Sequence, residues 1–255
     1  MPLIDTRTRN RTRTRTRPNL ALWLAGILIL AMAVYGPISQ PHNYHAFADQ
    51  RTLLGIPRLG DVLSNLGFLL VALVGAFKMW RARQGDPAQA MFFAALALTA
   101  AGSAWYHLAP DNARLVWDRL PIALACASLL AWVLKDAYPS LKLALPVLAG
   151  CGALSVWWWA ATGDLRPYLL IQVAPLVLIP LLQWQSGAPA GRRAAFMLAI
   201  MLYVLAKLCE LADQPVFDAT GAVSGHTLKH VLATLAALVL MRQFAPSTGG
   251  KAGDL

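Results

Sequence analysis

Apolar residues along this chain gather into long runs that recur from one end to the other. Eight such segments lie at about 20–36, 61–80, 90–109, 120–136, 142–161, 168–185, 194–212 and 226–242. Several reach the length of about 20 residues that a helix needs to cross a bilayer. The alternating pattern of a membrane-barrel strand is absent, and a spanning segment must satisfy its own backbone hydrogen bonds. The pattern therefore predicts an all-α fold, a polytopic transmembrane helix bundle.

Composition supports a membrane protein and argues against a nucleic-acid partner. The chain is 58% hydrophobic and 13% charged, whereas soluble domains carry about 25% charged residues. Its net charge is +10, but the basic residues lie in an N-terminal tail and in short loops. They do not form a basic stripe with exposed aromatics, so membrane lipids rather than nucleic acid are the expected partners. The three cysteines lie in apolar segments and predict buried thiols, not a disulfide framework.

Three regions divide the chain. Residues 1–19 are an Arg/Thr tract with arginine at alternate positions, which predicts a disordered basic tail beside anionic lipid headgroups. Residues 20–242 are the predicted transmembrane helical domain, and 243–255 are a short C-terminal tail. The first apolar segment has a second interpretation as a signal peptide, with a small-residue cleavage motif at 31–33.

Lysine and arginine predict how the chain is oriented in the membrane. The side that holds the N-terminal tail and every second loop carries fifteen of them, and the other side carries five. An excess of these residues marks the cytoplasmic side. Both termini are therefore expected in the cytoplasm, and the compact chain with its strong charge bias favours a bacterial inner membrane.

Polar residues inside membrane segments are costly and therefore informative about function. The third segment ends with Ser103 to His107, the fourth opens near Asp118, and the eighth opens with His226 to His230. The predicted orientation places all three at the periplasmic ends of their helices. Residues four apart share one helix face, so both imidazoles of the eighth segment project together, about 6 Å apart.

This histidine arrangement predicts a metal site. His226 and His230 offer a suitable bite for one ion, and His107 adds a third ligand from another helix. Three protein ligands with a fourth position left for water are typical of catalytic zinc, whereas structural zinc is usually closed by four ligands.

Plainer interpretations exist for each of these polar residues. A histidine at a membrane interface is commonly a hydrogen-bonded boundary residue, and Asp118 beside Arg119 could form an ordinary ion pair. Lys207 and Glu210 predict a salt bridge inside the bundle. The histidines of the first periplasmic loop are expected to be loop residues, and these are His42 and His45.

The spacing of these polar residues resembles the alkaline ceramidase family. It is also similar to the wider superfamily of adiponectin-type receptors and haemolysin-III-like proteins. The similarity covers residues 45–242 and rests on Ser64, Asn65, Ser103, His107, Asp118, His226 and His230. It implies a seven-helix core at 61–242, preceded here by one additional transmembrane helix.

The resemblance implies zinc held by His107, His226 and His230, with Asp118 acting on the zinc-bound water and Ser103 on the substrate side. Zinc lowers the pKa of its water to about 7. Ser103 would donate a hydrogen bond to the oxyanion, and Asp118 would carry a proton to the leaving amine. The predicted function is a zinc-dependent integral-membrane hydrolase that cleaves the amide bond of ceramide-like lipids.

One feature of the family is weak in this chain, and other functions stay open. Ceramidases bind calcium through acidic residues before the first core helix, where this chain offers only Asp49 and Asp61. Two carboxylates fall short of the six to eight oxygens that calcium takes unless carbonyls and water supply the rest.

The alternatives to a hydrolase are a non-catalytic, receptor-like or regulatory relative, a haem-binding electron carrier and a transporter.

Overall fold

The computed structural model describes residues 20–83 and 85–244, and regular structure there is almost entirely helical. The predicted all-α, polytopic helix bundle is confirmed. The Arg/Thr tract at 1–19 and residues 245–255 lie outside the described residues, so the predictions made for these two tails stay predictions.

The helices and strands follow one another along the chain without long gaps. They are α1 (Leu20–Tyr35), β1 (Thr52–Leu53), β2 (Ile56–Pro57), α2 (Leu59–Leu63), α3 (Leu66–Ala82), α4 (Pro87–Leu108), α5 (Asn112–Ala137), α6 (Ala144–Thr162), α7 (Arg166–Gln185), α8 (Ala190–Leu211), α9 (Asp213–Thr220) and α10 (Gly225–Gln243). The two strands form a small antiparallel hairpin in the loop between α1 and α2.

The helices make this a multi-pass membrane protein. Six helical stretches in the described part are long and apolar enough to cross a membrane, and α9 with α10 makes a seventh if the bent pair is one span. Large apolar side chains face outward, including Trp80 at 75% and Leu70 at 63% exposure. An apolar exterior of this extent is suited to contact with lipid rather than water.

The additional N-terminal helix matches the predicted segment at about 20–36, but it is shorter than a typical spanning helix. Helix α1 has 16 residues, which span about 24 Å against a hydrocarbon core of about 30 Å. It ends before Gly36, whose φ of +90° no right-handed helix allows, and Pro37 follows. The helix packs against α7.

Close packing of α4 on α5 sets the centre of the bundle. Helix α5 contacts α4, α6 and α7, while α10 packs on α8 and α3. A Cβ on Gly102 would lie 2.1 Å from the carbonyl oxygen of Trp117. The backbones of α4 and α5 therefore touch at this glycine.

A sharp bend fixes where α10 begins. The axes of α9 and α10 differ by 104°, and the Ser224 side chain caps α10 by accepting a hydrogen bond from the Thr227 N–H. The next residue is Gly225, where a Cβ would lie 2.1 Å from the Cys209 carbonyl oxygen. The bend therefore brings the first turns of α10 to the same end of the bundle as the end of α4. We call this end of the bundle the polar end.

Candidate metal centre and adjoining cavity

Three histidines meet at the polar end of the bundle. His107 lies in the last turn of α4, and His226 and His230 lie in the first two turns of α10. All three are buried, and one ring nitrogen from each lies within 4.8 Å of those of the other two. The predicted convergence of histidines from two distant segments is confirmed. A buried three-histidine group of this kind could hold a metal ion.

The ring nitrogens are spaced as ligands of one ion. The Nε2 atoms of His107 and His226 are 3.2 Å apart. Two ligands of tetrahedral zinc, each about 2.0–2.1 Å from the metal, lie about 3.3 Å from one another. Two lone pairs that face each other repel unless a proton or a metal ion lies between them, so this spacing fits a shared cation.

Hydrogen bonds set the orientation of His230. Its Nδ1 lies 2.8 Å from the Ser64 hydroxyl oxygen, and that hydroxyl donates its single proton to the Asp61 carbonyl oxygen at 3.1 Å. Ser64 must therefore accept a proton from Nδ1 of His230, which leaves the lone pair of Nε2 for a metal. Partners of this kind orient metal-binding histidines and raise their basicity. In the sequence, Ser64 was notable only for its resemblance to a ceramidase motif. Nothing in the local pattern predicted its contact with His230.

Lys229 competes for one of these lone pairs. Its ammonium donates to Nε2 of His226 at 3.1 Å and to Oε1 of Glu210 at 2.7 Å. The same lone pair cannot serve an ammonium proton and a metal ion together. Binding of an ion therefore requires Lys229 to leave His226, and Glu210 remains its partner.

The loop between α1 and α2 closes over the histidines. The Phe47 ring lies 4.7 Å, centroid to centroid, from the rings of both His107 and His226. The Asp213 carboxylate accepts from the His226 N–H at 2.7 Å and from the Ala48 N–H at 2.9 Å. Asp213 thus joins the loop to α10 and keeps Phe47 over the site. Sequence reasoning missed both residues because only tertiary contacts bring them to the histidines.

Ser103 and Asp118 lie together beside the histidine group. Both are buried, and the Ser103 hydroxyl is a hydrogen-bonding partner of the Asp118 carboxylate. The close approach of α4 to α5 at Gly102 brings these two side chains together. A hydroxyl and a carboxylate therefore line the same cavity as His230, and the catalytic roles predicted for them stay a prediction.

A cavity of about 280 Å³ leads from this polar cluster into the bundle. Ser103, Asp118 and His230 line its polar end, and its walls elsewhere are mostly apolar. Residues along its length include Leu96, Ile122, Leu129, Ile179, Phe196 and Leu240. An apolar cavity with a few convergent polar groups is the usual form of a small-molecule site.

Of the two ion pairs considered from the sequence, the described part of the structure contains one. The predicted salt bridge between Lys207 and Glu210 is confirmed at 2.7 Å. The ordinary ion pair considered for Asp118 and Arg119 is not found among the described residues. Arg119 instead lies over the Trp159 ring, 3.9 Å from its centroid. His45 is a loop residue as predicted.

The two carboxylates considered for calcium are engaged elsewhere. The Arg51 guanidinium hydrogen-bonded to Asp49 lowers the pKa of that carboxyl and occupies both its oxygens. Asp61 is fully buried, and its Oδ1 accepts from the hydroxyls of Ser224 and Thr227 at 3.0 and 2.6 Å. Its role in the described structure is to join α2 to the start of α10.

Comparison with known proteins identifies no relative of this chain. No family model, no curated protein and no solved structure matches it. The resemblance to alkaline ceramidases therefore stays a prediction that rests on the motif residues and their spacing.

Proposed function

We propose that this chain is a zinc-dependent integral-membrane hydrolase that cleaves the amide bond of ceramide-like lipids. The observation that carries the proposal is the buried three-histidine group at the polar end of an apolar cavity. Ser103 and Asp118 beside it supply the two further groups that amide hydrolysis needs. A multi-pass helix bundle also suits a substrate that resides in the bilayer.

Each polar residue has a distinct part in this proposal. His107, His226 and His230 would hold the metal ion, which would supply Lewis-acid activation of water. Asp118 would accept the proton of the attacking water and deliver it to the leaving amine, because its carboxylate lines the same cavity as Ser103 and His230. The Ser103 hydroxyl donates a hydrogen bond to the oxygen on which negative charge develops. Phe47 limits entry of bulk water from the loop side.

The shape of the cavity suits a lipid with a long chain. Its apolar walls would hold the acyl chain, while the amide would lie among Ser103, Asp118 and His230. Burial of each methylene in such walls contributes about 0.8 kcal/mol. The acyl chain of the lipid would therefore bind and align the substrate, and the polar residues would carry out the hydrolysis.

We extend the proposal to the membrane in which the protein resides and to the side that its polar end faces. With both termini in the cytoplasm, the polar end of the bundle faces the periplasm of a bacterial inner membrane. The excess of lysine and arginine on the opposite side supports this orientation.

Zinc content of the detergent-purified protein tests the proposal. We expect about one zinc ion per chain in the wild type and in His42→Ala, an exposed histidine outside the cluster, and none in His226→Ala/His230→Ala. Ceramide hydrolysis should be lost with the metal. Absence of zinc from the wild type would remove the hydrolase mechanism. Bound zinc without hydrolysis of any lipid amide would favour the receptor-like alternative.

A further inference from the structure

Arg119 is a buried cation with two side-chain nitrogens that lack a hydrogen-bonding partner in the described part of the chain. It lies on α5 and is only 2% exposed. Its Nε and Nη1 atoms are both buried and unpaired among residues 20–83 and 85–244. Buried donors are rarely left unsatisfied, because each lost hydrogen bond to water costs free energy. A buried arginine of this kind calls for an acceptor.

Three aromatic rings surround the guanidinium of Arg119. The Arg119 Cζ lies 3.9 Å from the ring centroid of Trp159, 4.9 Å from that of Tyr44 and 5.2 Å from that of Tyr168. Aromatic faces attract the face of a cation. The N–H groups point along the edges of the guanidinium plane, where planar oxyanions bind. The aromatic contacts thus position Arg119 without using its donors.

The polar end of the cavity also carries unbalanced charge. Arg119, Lys207 and Lys229 line it together with two carboxylates, those of Asp118 and Glu210. Glu210 binds both lysines, at 2.7 Å each. Three cations against two carboxylates leave an excess of one positive charge before any metal ion is added. A neutral ceramide would not compensate this charge, whereas an anionic lipid would.

We propose that Arg119 binds an oxyanion, a carboxylate or a phosphate, carried by the head group of the lipid. The favoured substrate is then an N-acylated amine that bears a negative charge close to its amide, such as an N-acyl amino acid. This inference rests on the proposed function for the amide chemistry, and it replaces the neutral head group of a ceramide with an anionic one. Arg119 follows Asp118 directly in α5 and lines the same cavity, so a lipid bound by Arg119 presents its amide to the polar end.

Binding of matched lipids tests this inference without relying on turnover. The probes are N-hexadecanoylglycine and its methyl ester, measured against the wild-type protein in detergent, with a chelator present to suppress metal-dependent hydrolysis. Inorganic phosphate alone is the third probe. We expect the acid to bind about tenfold to hundredfold more tightly than the ester, as one charge-assisted hydrogen-bonding pair would give. Phosphate alone should bind far more weakly than the acid.

Two variants assign the preference to Arg119. In Arg119→Gln the acid and the ester should bind equally, while Arg119→Lys should retain part of the difference because it keeps the charge. Equal affinity of the wild type for both lipids would overturn the inference, and so would a full preference in Arg119→Gln. Phosphate binding as tight as that of the acid would mean a site for free anions. A preference for the acid, with no hydrolysis of either lipid by the zinc-loaded protein in a separate assay without chelator, would sink the proposed function and leave this inference intact.

Discussion

The contact between α4 and α5 at Gly102 should be sensitive to a single methyl group. In Gly102→Ala the new Cβ would lie 2.1 Å from the carbonyl oxygen of Trp117, where contacts under 3.0 Å are essentially never found. The obstacle is backbone, so no side chain can rotate away. The two helices must separate by roughly an ångström at this point, or the bundle must lose the contact.

Gly102→Ala is expected to lower both the Tm of the protein and its proposed rate of hydrolysis. Overpacking of this kind costs up to about 3 kcal/mol, and for a chain of this size each kcal/mol lowers Tm by about 2–4 °C. A cost of about 1–3 kcal/mol should therefore lower Tm in detergent by about 2–12 °C in Gly102→Ala. Because Ser103 and Asp118 lie on the two helices that separate, hydrolysis should fall further, by about 100-fold for a displacement of about 1 Å.

Gly150 provides a matched control on α6. No atom lies within 4 Å of a Cβ built there, so Gly150→Ala should keep its Tm or gain slightly from better helix propensity. Equal losses in both variants would show that loss of any helical glycine is harmful, and the close contact would not be the cause. An unchanged Tm in Gly102→Ala would refute the packing described here.

Two further predictions concern the hydrogen-bonding partner of His230 at the proposed metal site and an ion pair in a loop. Ser64→Ala should weaken zinc affinity about 10–100-fold, because Nδ1 of His230 loses the acceptor that fixes its tautomer, and competition with a chromogenic chelator measures this at unchanged Tm. Arg166 lowers the pKa of Asp164 in the loop between α6 and α7. A carboxyl whose pKa is lower in the folded state stabilises the protein above its unfolded value of about 3.9, and this contribution is lost as pH falls below it. Wild-type Tm should therefore drop on acidification below about pH 4, with a smaller drop in Asp164→Asn, and equal drops would contradict the assignment.

Charged side chains at the polar end are tolerated in this membrane protein because they are paired with opposite charges. Glu210 lies between Lys207 and Lys229, and Lys229 also contacts His226. Charged groups in low-dielectric surroundings are tolerated when they are paired and hydrogen-bonded. The bundle therefore keeps an exposed apolar surface toward lipid and confines its charge to the cavity and the loops.

The sequence by itself determined the membrane bundle and most of its segments. Long apolar runs report directly on the bilayer, because each spanning helix must be apolar over about 20 residues whatever its neighbours are. The spacing of His226 and His230 predicted a shared helix face for the same local reason. The convergence of His107 on them followed from the alternation of the helices across the membrane.

Tertiary structure alone decided the contacts that complete the site. The hydrogen bond between His230 and Ser64 joins residues 166 positions apart. Asp213 and Phe47 meet the histidines through the bend before α10 and the folding of the loop between α1 and α2. The short length of α1 likewise depends on the backbone turn at Gly36. Periodicity in the sequence specifies which face of a helix is polar. It does not specify which neighbour that face meets, because that depends on packing between distant segments.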